Sequence, residues 1–184
     1  MLSTTLLFAA SMLVGQVDRA APSMKDNHYL NFWMEYFEGE WDTALLEGED
    51  REGRLKTGAN GTWSCHLSPT KTCMLFNSTI NGETDSVAVA GYDPKTKAWK
   101  EVFFMTNGSH LTQFYYADAD ALTGDPAGKV IKGKGEFIYP DGRVEKAKIG
   151  VEIISRDKCK YFVKQRRIGE EKRPDLVSLM VRKK

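Results

Sequence analysis

The spacing of the apolar residues changes once along the chain, at Gly39, and that change constrains the fold more than any other feature. Before it, Tyr29, Phe32, Trp33, Tyr36 and Phe37 fall at i, i+3, i+4, i+7 and i+8, one face of an α-helix. Pro22-Ser23 opens this segment, and Asp26 or Asn27 offers the short side-chain acceptor of an N-cap. Gly39 stands where a C-cap glycine would stand. A stripe this wide reads as core, with Trp33 and Phe37 at its centre expected to bind the helix to the rest of the molecule rather than to contact a substrate.

After Gly39 the period becomes two. Strands are predicted at 40–47, 61–67, 72–80, 86–92, 98–106, 110–117, 130–139, 143–154, 160–167 and 176–182. Between them lie turn signals such as Asn81-Gly82, Asp93-Pro94, Asn107-Gly108, Gly124-Asp125-Pro126 and Asp141-Gly142. The prediction is a mainly β chain. A single antiparallel up-and-down barrel of about ten strands has one N-terminal aromatic helix packed against it or closing one end. A length of 184 residues with 41% hydrophobic and 28% charged side chains suits one globular domain and excludes a disordered or collagen-like chain. No internal repeat suggests a propeller.

The alternation identifies faces. Ala147, Ile149, Val151 and Ile153 share one side of their strand, and Lys146, Lys148, Gly150 and Glu152 the other. Leu111, Gln113 and Tyr115 oppose Thr112, Phe114 and Tyr116, so both faces there carry aromatics. Val102-Phe103-Phe104-Met105 is apolar on both faces as well. Its outer side calls for a cover, from the helix or from a second subunit.

Leu6–Val14 is a short apolar run, well under the roughly 20 residues that span a bilayer, and it has the length of a signal-peptide core. Residues 1–21 therefore read as a signal peptide and 22–184 as the exported domain, periplasmic or secreted. The run departs from a standard leader in having no Lys or Arg before it. Cys65 and Cys73 flank the turn-like Ser68-Pro69-Thr70. Pairing Leu67 with Lys71 would set the two cysteines directly opposite each other, so a Cys65–Cys73 disulfide is expected. Cys159 is left over as a free thiol, and no C-x-x-C suggests a zinc or redox motif.

Tyr36-Phe37-Glu38-Gly39-Glu40-Trp41 resembles the aromatic–Gly–x–Trp opening of lipocalin-like barrels. Gly61-Thr62-Trp63-Ser64-Cys65 and the segment from Gly91-Tyr92-Asp93-Pro94 to Trp99 resemble exported bacterial calycin-like proteins. The resemblance covers roughly residues 29 to 184 and implies a lipocalin-like barrel. It brings no catalytic residues. Heme-binding relatives use a proximal histidine, and no motif here assigns one, so no cofactor is expected.

The remaining chemistry is sparse. There is no nucleophile elbow, zincin motif, Walker loop or dinucleotide fingerprint. Lys132-Gly133-Lys134-Gly135 lacks the strand–loop–helix context of a phosphate loop and reads as a twisted, solvated strand. His66 and His110 lack a third ligand at any metal-binding spacing, so no metal is expected. Lys164, Arg166, Arg167, Lys172 and Arg173 are interrupted by Glu170 and Glu171 and read as a solvated hairpin. With 26 basic and 25 acidic residues, nothing draws the chain to nucleic acid. Asn60, Asn77 and Asn107 open glycosylation sequons that matter only in a eukaryotic secretory host.

Three function classes follow. The first is non-catalytic binding of a small apolar or amphipathic ligand by Trp63, Trp99 and Tyr115, with Gln113 as polar handle. The second is a structural or partner-binding module, a homodimer formed through the outer aromatic strands. The third, a barrel isomerase or hydrolase, needs a pair of titratable groups inside the barrel, and the sequence offers no obvious pair.

Overall fold

In the computed structural model, which describes residues 27–47, 60–117 and 122–184, one α-helix precedes a closed sheet. The predicted leader, 1–21, lies outside the described residues. Helix α1 spans His28–Phe37, and the strands are β1 (Gly39–Glu47), β2 (Asn60–Leu67), β3 (Met74–Ile80) and β4 (Glu83–Asp93). They continue as β5 (Ala98–Met105), β6 (His110–Tyr116), β7 (Val130–Ile138) and β8 (Val144–Ser155). The last are β9 (Lys158–Ile168), β10 (Glu171–Lys172) and β11 (Leu176–Arg182).

Each strand pairs antiparallel with the next from β1 to β9, and β11 closes the ring between β9 and β1. The short β10 continues the β11 side of the same hairpin, since Lys172 opposite Arg167 and Leu176 opposite Val163 keep one register. Ten strands therefore form the barrel wall among the described residues, as the alternation predicts. Closure leaves no strand edge along that wall, which removes the template for edge pairing.

Helix α1 is too short to be stable alone, and its surroundings explain why it forms. The Asn27 side chain accepts the Leu30 N–H at 3.1 Å and caps the first turn. Leu30, Phe32, Trp33 and Phe37 are buried. The helix sits at the barrel end where the connections after β2, β4 and β8 lie. The Tyr29 hydroxyl donates to Ala117 O at 2.7 Å, and that of Tyr36 to Gly124 O at 3.3 Å. At its C-terminus the Arg182 guanidinium donates to the carbonyls of Tyr36 and Glu38 and stacks 4.4 Å from the Trp41 ring. A cation there satisfies carbonyls that have no partner within the helix. Gly39 has φ +120°, a conformation L side chains rarely adopt, and turns the chain from helix into β1. The helix thus closes one end and does not cover the outer face of β5, where Phe104 stays exposed.

Two local expectations are corrected. The β2–β3 hairpin sets Leu67 opposite Met74 and Cys65 opposite Phe76. Cys73 falls in the turn, where its carbonyl accepts the Ser68 N–H at 2.8 Å. The loop is longer than the Leu67–Lys71 pairing assumed, so Cys65 does not meet Cys73 and all three cysteines are thiols. Burial pushes the Cys65 thiol well up and the Cys159 thiol up to about 12. Iodoacetamide at pH 8 should therefore label Cys73 in the native protein and reach Cys65 and Cys159 only after unfolding. A Cys65–Cys73 cross-link in non-reducing peptide maps would contradict this register.

The second correction is Arg166. Lys164, Arg167 and Lys172 are exposed, as a solvated hairpin requires, but Arg166 is buried. Gln165, at φ +53°, lies where the β8–β9 register shifts. The extra residue reverses the alternation, so Arg166 follows Val163 onto the inner face.

Candidate functional site

The barrel encloses a cavity of about 590 Å3, within the usual range for small-molecule pockets. Trp33 and Phe37 of α1 form its floor, and it reaches Asn81 and Asn107 in the turns at the opposite end. The helix aromatics are therefore both the barrel's plug and part of the cavity wall. Trp33 packs 4.4 Å from Phe37, 5.3 Å from Tyr115 and 5.6 Å from Trp99, measured between ring centres.

The space arises from one register line. Met74, Ala90, Glu101, Gln113, Gly135 and Ala147 lie opposite one another in sequence around β3 to β8. Directly opposed residues share a face, so Ala90, Gly135 and Ala147 give the longer Glu101 and Gln113 side chains room. A Cβ on Gly133 would lie 2.1 Å from Phe114 O, and one on Gly135 would press on Ile149 at 3.1 Å. The Lys132–Gly135 alternation therefore has a packing cause: the glycines face inward, and both lysines are exposed.

Three of the four predicted ligand-binding residues, Trp63, Gln113 and Tyr115, line this cavity. Trp99 does not. It lies at the helix end of β5, fully buried, stacked on Trp33. The Tyr115 hydroxyl donates to Gln113 Oε1 at 3.0 Å, and Gln113 Nε2 donates to the Tyr161 hydroxyl. Burial, and then the nearby Glu101, hold the Tyr115 hydroxyl well above the usual tyrosine range.

The sequence expectation lacks the four acids of the lining, Glu83 and Asp85 and the buried Glu101 and Glu145. Glu101 is 4% exposed, and its Oε1 accepts the Trp99 indole N–H at 3.0 Å. Burial raises its carboxyl to about 8, against the opposing hydrogen bond from Trp99. Glu145, further along the cavity, forms a two-pronged pair with Arg166 at 2.6 and 3.1 Å and accepts the Tyr139 hydroxyl at 2.8 Å. Glu101 has a legible signal in Trp99-x-Glu101-x-Phe103-x-Met105, a lone acid on an otherwise apolar face. The Glu145–Arg166 pair has none, because it depends on the reversal at Gln165.

The arrangement can hold an apolar body against aromatic walls and offer it a few fixed polar groups. Comparison with known protein-family models gives no match, and comparison with curated proteins gives none either. Among the described residues, no helix is long and apolar enough to cross a membrane.

Proposed function

We propose that this protein binds a small amphipathic ligand inside the barrel without transforming it. The observation that carries this reading is the cavity itself, apolar over most of its wall, with Glu101, Gln113 and Tyr161 on its lining. Membership of the calycin superfamily and export through residues 1–21 belong to the same proposal. They are supported by the barrel, by the Phe37–Gly39–Trp41 junction and by the apolar run Leu6–Val14.

A homodimer is the second reading, and one observation favours it. Leu75, Val87, Val89 and Phe104 are exposed on neighbouring outer strands, with Leu75 opposite Val89 and Val87 opposite Phe104. Native mass spectrometry of protein purified from its own host separates the two. We expect a monomer carrying a small molecule in one-to-one ratio. A dimer with no added mass would favour the outer face over the cavity.

A further inference from the structure

Of the acids that line the cavity, Glu101 and Glu145 are buried, and among the described residues only one of these two has a counter-ion. Glu145 has Arg166. Glu101 has a single partner, Trp99 Nε1 on its Oε1. Its second oxygen, Oε2, takes no hydrogen bond or ion pair from the described residues, and Glu101 lines the cavity. Among the described residues, no Lys, Arg or His pairs with this carboxyl.

What surrounds the open oxygen suits a positive charge. Trp63, Phe103, Tyr115 and Tyr161 line the same cavity, above the Trp33 and Phe37 floor. Aromatic faces attract cations, most strongly where water is excluded. The small residues opposite Glu101 and along its register line, Ala90 and Gly135, leave the approach clear.

We propose that Glu101 is the counter-ion for a cationic ligand, an ammonium carried on an apolar or aromatic body, with the charge against Oε2 and the aromatic walls around it. This rests on reading the cavity as a ligand site. No bond of the ligand is made or broken; at neutral pH the carboxyl O–H is ionised as the cation enters, and its proton goes to water or buffer.

The pH dependence follows from the groups that face Glu101. Among the described residues they are Gln113 and Tyr115 on β6 and Cys65 on β2, with Tyr161 of β9 on the same cavity lining; Ala90 on β4 does not titrate. Tyr115 and Cys65 are pushed upward by burial, which leaves both uncharged from pH 6 to 9. With Glu101 titrating near 8, a permanent cation gains affinity by up to about tenfold per pH unit below that value and levels off above it.

Calorimetric titration of the full chain at pH 6 and pH 9 tests this with three probes. They are benzyltrimethylammonium, which keeps its charge, its neutral isostere neopentylbenzene, and decanoate. The ammonium should bind one-to-one and tighten by about a hundredfold from pH 6 to pH 9. Glu101→Gln, shown folded by circular dichroism, should lose that gain and bind the ammonium no better than the neutral isostere. An ammonium that binds Glu101→Gln as well as it binds wild type overturns the proposal. So does decanoate binding that strengthens at pH 6, which would make the protonated carboxyl a donor to an anion. If neopentylbenzene binds and the ammonium does not, the cavity remains a ligand site and the cationic class is wrong. If no probe binds at either pH, the reading of the cavity falls with it.

Discussion

Trp33→Ala should lower the unfolding free energy by roughly 3–5 kcal/mol, the usual loss for truncating a buried large aromatic. A domain of this size has about 5–15 kcal/mol in total, so the melting temperature and the soluble yield should both drop sharply. The indole lies between Trp99, Phe37 and Tyr115 at the base of the barrel. Without it α1 loses the contact that ties its buried face to β5 and β6, and a helix of 10 residues has little stability of its own. Trp33→Phe separates packing from hydrogen bonding. The Trp33 indole N–H is buried with no partner among the described residues, and burying such a donor costs about 1–3 kcal/mol. Phenylalanine keeps the stacking and removes the orphan, so it should lie close to wild type in thermal denaturation. Because Trp33 is also part of the cavity floor, ligand retention should fall together with stability in Trp33→Ala. Unchanged melting with abolished binding would show instead that the helix is a movable lid.

Glu101→Gln should change how stability depends on pH. Below the ordinary glutamate range the carboxyl is protonated in both folded and unfolded chains and contributes no pH dependence. As pH rises, the unfolded chain releases this proton while the native protein, where the group titrates near 8, retains it. The native state then binds more protons, so stability falls with rising pH, by up to about 1.4 kcal/mol per unit, and the fall ends above about pH 8. The glutamine variant lacks this slope and can still accept the Trp99 N–H. Between pH 5 and pH 9, wild type should therefore lose on the order of a few kcal/mol that the variant keeps. Urea denaturation of both proteins across this range measures it. Parallel curves would mean that Glu101 is solvated and charged throughout.

The architecture was legible because the forces that set it are local and periodic. The aromatic stripe, Gly39 and the alternation from β1 to β11 each reflect a repeat that the backbone imposes. What the sequence hid depends on register. The Cys65–Cys73 expectation failed because the length of the turn at Pro69 decides which residues face each other, and Cys65 meets Phe76 instead. Arg166 is reversed by one residue with positive φ, a shift that no alternation count reveals. In the candidate site, inward parity alone identifies Trp63, Gln113 and Tyr115. Parity alone does not say how deep a residue lies, and Trp99 shares that parity but sits beneath the cavity. Glu101 was visible in principle, as an acid on an apolar face.

If the barrel interior is a ligand site, filling it should expel the ligand. Ala147 lines the cavity opposite Gly135 and is only half-buried. A phenylalanine there should occupy ligand space without displacing the wall. Native mass spectrometry of wild type and Ala147→Phe, each purified from the protein's own host, gives the comparison. Wild type should carry a one-to-one small-molecule adduct, and the variant should show bare mass and melt no lower. An adduct retained equally by both proteins, or absent from both, would contradict it.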